Sequence, residues 1–170
     1  MDSKENIEDL LSVLAGKDGV ARQQARKDLV ELGTVAVPFL IKALTNPHTR
    51  IRWEAAKALG TMRDPQAAPF LVQALSDKSF EVRWLAAEGL IALRRDSLQP
   101  LLAALIEHAD NWDLRQGAHH ILHAFERVDL LNEECLAVLD ELRSLEAEFA
   151  LPPAAKAALE SLAKKKNNDV

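Results

Sequence analysis

An arginine recurs along this chain at Arg22, Arg52, Arg83 and Arg115, in steps of 30, 31 and 32 residues. The segments around it align as Val20-Ala-Arg-Gln-Gln-Ala, Ile51-Arg-Trp-Glu-Ala-Ala, Val82-Arg-Trp-Leu-Ala-Ala and Leu114-Arg-Gln-Gly-Ala-His. An alanine follows each arginine by three positions (Ala25, Ala55, Ala86, Ala118) and a leucine by seven (Leu29, Leu59, Leu90, Leu122), offsets that share one helical face. Between them lies a second set, Val37-Pro-Phe-Leu-Ile-Lys-Ala-Leu, Ala68-Pro-Phe-Leu-Val-Gln-Ala-Leu and Gln99-Pro-Leu-Leu-Ala-Ala-Leu-Ile, whose prolines Pro38, Pro69 and Pro100 recur every 31 residues. A period of this length predicts one helical hairpin per repeat, with each hairpin burying its apolar side only by stacking on the next.

Each recurring proline stands near the start of its apolar run, where a missing N–H costs least, so it marks a helix start. Asn46-Pro47 and Asp64-Pro65 read as an N-cap followed by proline at the first helical position, and Asp18, Ser79, Asp96 and Asn111 as further caps. Gly33 and Gly60 read as helix ends. The punctuation predicts ten helices, near 5–15, 18–32, 35–45, 48–62, 65–76, 79–94, 97–108, 111–126, 131–147 and 153–165. They pair as about five antiparallel hairpins in an all-α, right-handed superhelix forming one domain over residues 1–170. Residues 18–125 are its regular core, helix 5–15 an N-terminal cap and 131–165 an atypical C-terminal cap, with a frayed tail from Lys164 to Val170.

The unit Ala67-Ala-Pro-Phe-Leu-Val-Gln-Ala-Leu-Ser-Asp followed by Val82-Arg-Trp-Leu-Ala-Ala-Glu resembles the HEAT-like repeats named after the phycobilin lyases, and the likeness covers residues 18–125. It implies that the arginine helices line the concave side of the stack. It also implies three activities to check. Deoxyhypusine hydroxylase resembles the chain in architecture but binds iron through His-Glu pairs, and no histidine here precedes a glutamate. HEAT-like DNA glycosylases use a basic concave face, whereas 21 Lys plus Arg against 26 Asp plus Glu leave this chain at −5, without a general attraction to phosphate backbones. A lyase-like subunit acting on a bilin remains an alternative, since the repeats themselves carry that resemblance.

On the concave reading, the position after each arginine gives Gln23, Trp53, Trp84 and Gln116, and the next gives Gln24, Glu54, Leu85 and Gly117. One turn on come Lys27, Lys57, Glu88 and His120. Trp53 and Trp84 flanked by Leu85, with the small Gly117 opening the surface beside them, form the pattern of a binding hot spot. The same tryptophans also fit ordinary packing between repeats, and the sequence leaves both open. The candidate partner-binding set is Trp53, Trp84, Leu85, Glu54, Lys57, Glu88, Gln116 and His120. Trp112, equivalent to Phe80, reads as packing, and the arginines as ties to Asp18, Asp77 and Asp110.

His119 and His123 lie four apart on one face, a spacing that suits a shared metal, but no third ligand is indicated and His119 takes the place of Ala56 and Ala87, so packing is expected. Cys135 is the single cysteine, which excludes an intramolecular disulfide and a cysteine metal cluster, and it has no histidine partner nearby in sequence. No serine stands in a nucleophile-elbow context and no glycine-rich phosphate loop occurs. The expectation is therefore a scaffold or adaptor without catalytic apparatus or cofactor. It would be cytoplasmic, bind a protein or peptide segment in its groove, bind neither nucleic acid nor membrane, and have the C-terminal helices available for self-association.

Overall fold

Ten α-helices account for most of the residues that the computed structural model describes, 3–144 and 146–168. In chain order they are α1 (Ser3–Leu14), α2 (Gly19–Glu31), α3 (Val37–Ala43), α4 (Thr49–Met62), α5 (Ala68–Ala74), α6 (Phe80–Leu93), α7 (Leu98–Glu107), α8 (Trp112–Glu126), α9 (Glu133–Glu141) and α10 (Ala147–Asn168). The chain is an all-α solenoid, and no strand occurs among the described residues. No helix among them is long and apolar enough to cross a membrane.

Side-chain oxygens cap the starts of α2, α8 and α9. Asp18 accepts from the N–H groups of Val20 and Ala21 at 2.8 and 3.2 Å, and Asn111 accepts from Leu114 N–H at 3.0 Å, satisfying donors that a first turn leaves without partners. Pro38, Pro69 and Pro100 lie within the first turns of α3, α5 and α7, each of which follows a 3₁₀ turn (Gly33–Val35, Pro65–Ala67, Arg94–Ser97). Asp96 falls inside the last of these turns and is not a cap, Ser79 gives its hydroxyl to Glu81, and α4 starts after His48 rather than at Pro47.

The chain turns after each inner helix at a residue with positive φ: Gly33 at 65°, Arg63 at 55°, Arg94 at 57° and Asp129 at 53°. Only one of these is glycine. Gly60, expected at a helix end, lies inside α4 instead, where an added Cβ would stand 3.0 Å from the Gly89 Cα of α6. These two glycines let α4 and α6 approach almost backbone to backbone. The inner helices α2, α4, α6 and α8 pack in sequence along Ala55, Ala56, Ala86 and Ala87, all buried. The outer helices α1, α3, α5 and α7, by contrast, leave clefts between them, one of about 800 Å³ between α1 and α3. Close inner packing with splayed outer helices curves the stack towards the inner side.

The C-terminal pair departs from the expected order. α9 packs on α8 in the inner layer, and α10 lies beside α7 in the outer one, reversing the sequence of layers in the repeats before it. α9 ends at Glu141, and α10 begins at Ala147 and runs through Pro152 and Pro153, so the prolines do not start this helix and the stretch to Asn168 is helical. The final tail residues Asp169 and Val170 lie outside the described residues.

Candidate functional site

The inner face is a grid, because residues four apart on a helix fall on one line. Along α4 this line carries Thr49, Trp53, Lys57 and Thr61, along α6 Phe80, Trp84 and Glu88, and along α8 Trp112, Gln116 and His120. Trp84 is 47% exposed and its ring is packed from two sides, with the His120 centroid at 4.9 Å and that of Phe80 at 6.5 Å. His120 also meets Glu88 at 3.0 Å, which ties α8 to α6. Trp53 is half-buried, with Lys57 Nζ 4.7 Å from its ring centre and the Arg26 guanidinium 5.9 Å away. Cations hold the Trp53 indole in position, and neighbouring rings that of Trp84.

Lys57, Leu85 and Glu88 meet across the α4–α6 seam in a shallow groove of about 400 Å³ floored by Gly60 and Gly89. Gln116 is exposed on α8 between Trp112 and His120. Two expectations fail here. Glu54, placed among the partner-binding residues, is 3% exposed and receives both Arg22 and Arg26 from α2, so it is a tie between repeats. Gly117 does not open the surface, because its side faces the fully buried Leu75, whose Cδ2 would stand 2.8 Å from an added Cβ.

Trp112 and Phe80 are each 64% exposed, and neither serves as packing between repeats. Each occupies the first position of its helix, under the arginine three residues on: Arg115 lies 5.6 Å from the Trp112 ring and Arg83 5.8 Å from that of Phe80. The signal for them was available, since both lie four residues before a position already assigned to the inner face.

The arginine column divides by burial. Arg52 is 4% exposed and grips both carboxylate oxygens of Asp77, at 2.6 and 2.9 Å, while donating to the carbonyls of Asn46 and Pro47. Burial pushes the Asp77 carboxyl up, but the Arg52 hydrogen bonds and the Ser79 N–H outweigh it, and Asp77 titrates below the ordinary range. Arg22 reaches Glu54 rather than Asp18, and Arg83 reaches Asp113 rather than Asp110. The charges of this face are mixed in sign and partly paired: Glu88 meets His120 and Asp113 meets Arg83, while Lys27 and Glu31 on α2 and Arg50 and Lys57 on α4 add both signs beside them.

His119 and His123 stack with ring centres 6.0 Å apart, and His123 Nδ1 lies 3.1 Å from Glu126. Burial, then the charges of Arg143 and the two neighbouring histidines, holds His119 below the usual imidazole range. No group of three or more His, Cys, Asp or Glu residues is placed to hold a metal among the described residues.

The sequence profile of the HEAT repeats matches residues 7–90, from α1 through most of α6. The match is to these repeats at large and does not single out the phycobilin lyase branch. No curated protein matches the chain.

Proposed function

As a member of the HEAT-repeat family, whose repeats commonly serve as protein-interaction scaffolds, this chain is one for which we propose a scaffold function, with a partner protein segment held against the inner face. The partner contacts would be Trp53, Trp84, Leu85, Lys57, Glu88, Gln116 and His120. One observation carries the reading: the two tryptophans lie on adjacent inner helices, partly exposed yet fixed by Lys57 and His120. Large rings held in place before binding give up little entropy when covered, which is the character of a hot spot. The mixed charge of the surface, with Lys27, Glu31, Lys57 and Glu88 interleaved, suits a polypeptide better than a phosphate backbone.

The test is Trp53→Ala combined with Trp84→Ala. A peptide selected for binding to the wild type should lose roughly thirtyfold in affinity for each ring removed, with far-UV circular dichroism unchanged. Equal binding by the double variant refutes the reading. Self-association is a second proposal, favoured by Phe149, which is 75% exposed on α10. Phe149→Glu would then abolish a concentration-dependent rise in mass, and a mass that does not change with concentration in the wild type counts against it.

A further inference from the structure

His119 takes the register position of Ala56, which lines the α4–α6 seam, so it stands on the side of α8 turned towards α9. In the preceding repeats that position holds the buried alanines Ala56 and Ala87, because the inner helices there pack closely. α9 packs less extensively on α8, and the side chains at this seam are imidazoles. The expected packing role fits them only in part: His119 is not fully buried, and His123, one turn on, is exposed.

The two rings are arranged as a chelating pair would be. They project from one face of an unbroken helix, with their centres 6.0 Å apart. Two nitrogens ~3 Å apart hold a cation at ~2.0–2.1 Å from each. The rings reach that separation by turning about Cβ–Cγ, a torsion with a broad well. Behind the pair, His123 Nδ1 lies 3.1 Å from a Glu126 carboxylate oxygen. A carboxylate only accepts, so this contact puts the ring proton on Nδ1 and leaves the lone pair of the neutral ring on Nε2. A carboxylate behind a histidine in this way also raises its basicity as a ligand. Arg143 faces the pair from beyond α9, but it donates to Asp140 at 3.0 Å and lies 3.7 Å from Glu126, so two carboxylates offset its charge. His120 belongs to another face of the helix, against Glu88 and Trp84.

From this arrangement we infer that His119 and His123 chelate one divalent cation of the nickel, copper and zinc class, with Glu126 orienting His123 and water in the remaining positions. Imidazole nitrogens suit these metals, whereas magnesium and calcium take oxygen ligands. Two protein ligands make the site an open one, unlike a structural zinc site closed by four. It lies apart from the inner face and does not rest on the scaffold reading.

Calorimetric titration of the untagged full chain with Zn²⁺ and with Ni²⁺, at about pH 7.5 where an ordinary histidine is neutral, tests the site. The expected result is a single equivalent of either metal bound, and none of Mg²⁺. His119→Ala and His123→Ala should each lose that binding, and Glu126→Ala should weaken it roughly tenfold. His108→Ala, which removes an exposed histidine just after α7, should leave it unchanged. Circular dichroism confirms that the variants are folded. No binding by the wild type, binding that survives the loss of either His119 or His123, or an equal loss from His108→Ala overturns the inference. Full affinity in Glu126→Ala overturns the part given to Glu126.

Discussion

Arg52 and Arg83 occupy the same position in successive repeats, yet the structure assigns their removal different costs. Arg52 and Asp77 have side chains 5% and 10% exposed, and the guanidinium makes two hydrogen bonds to the carboxylate and one to each of two carbonyls. Removing one partner of a buried pair costs about 3–5 kcal/mol. Asp77 keeps the Ser79 N–H at 2.8 Å, which argues for the low end, and each lost carbonyl bond adds about 1 kcal/mol. Arg52→Ala should therefore lose about 5 kcal/mol. Arg83 meets Asp113 at 3.3 Å, with that carboxylate 43% exposed, and makes one carbonyl bond, to Asp77. An exposed pair contributes ~0–1 kcal/mol, so Arg83→Ala should lose only about 1–2 kcal/mol. In thermal melts followed by circular dichroism, ~2–4 °C for each kcal/mol separates the variants by about 7–14 °C. Acid supplies a further check. A carboxyl with a depressed native pKa stabilises the fold above its unfolded pKa and ceases to do so as pH falls through the native value. The gap between wild type and Arg52→Ala should thus be full at about pH 7 and shrink below about pH 4. Equal losses from the two arginines, or a gap that does not change with pH, would refute the argument.

Gly89→Ala should destabilise by about 1 kcal/mol, because a Cβ 3.1 Å from Leu71 Cδ1 and 3.3 Å from the Gly60 Cα overpacks the seam by more than alanine gains in helix propensity, and a rise in urea midpoint would contradict this. A histidine held below its ordinary pKa leaves stability untouched at high pH and lowers it as acid protonates the unfolded chain first. His119→Ala, which restores the residue found at Ala56 and Ala87, should therefore lessen the loss of stability between about pH 7 and pH 5, and an unchanged slope would exclude that role. The Cys135 thiol, wholly buried and pushed up to about 11, should resist iodoacetamide at about pH 8 until denaturant is added, and rapid labelling of the native protein would show otherwise.

The solenoid was legible in the sequence because its period is written in side chains whose job is to pack. Ala25, Ala55, Ala86 and Ala118, with the leucines four residues later, are all buried where their spacing places them. Helix ends were harder to read. A residue with positive φ is usually glycine, but Arg63, Arg94 and Asp129 take positive φ here, while Gly60 and Gly89 serve close helix contact. The last helix, expected near 153–165, begins earlier and carries Pro152 and Pro153 inside it. Within the candidate site, Trp53 and Trp84 could be located on the inner face, but their exposure depends on Lys57, Arg26 and His120, contacts that periodicity does not encode. Glu54 and Leu85 share a register position yet differ in fate, because Arg22 and Arg26 of the preceding repeat draw the carboxylate inward. Trp112 went unrecognised because a large ring at a helix start gives the same sequence pattern whether it is covered or bare.

The glycine seam between α4 and α6 gives the molecule a bias in how it can bend. Where backbones already touch, further approach meets hard repulsion, whereas the gaps on the opposite side, such as that between α5 and α7, hold space that can be given up. The curve can then relax towards a straighter form but cannot tighten, so a ligand too bulky for the resting groove is met by opening, and a slender one is not gripped harder by closing. Spin labels at Gln73 and Glu107, across that outer gap, should draw together when a bulky ligand binds, and should never move apart.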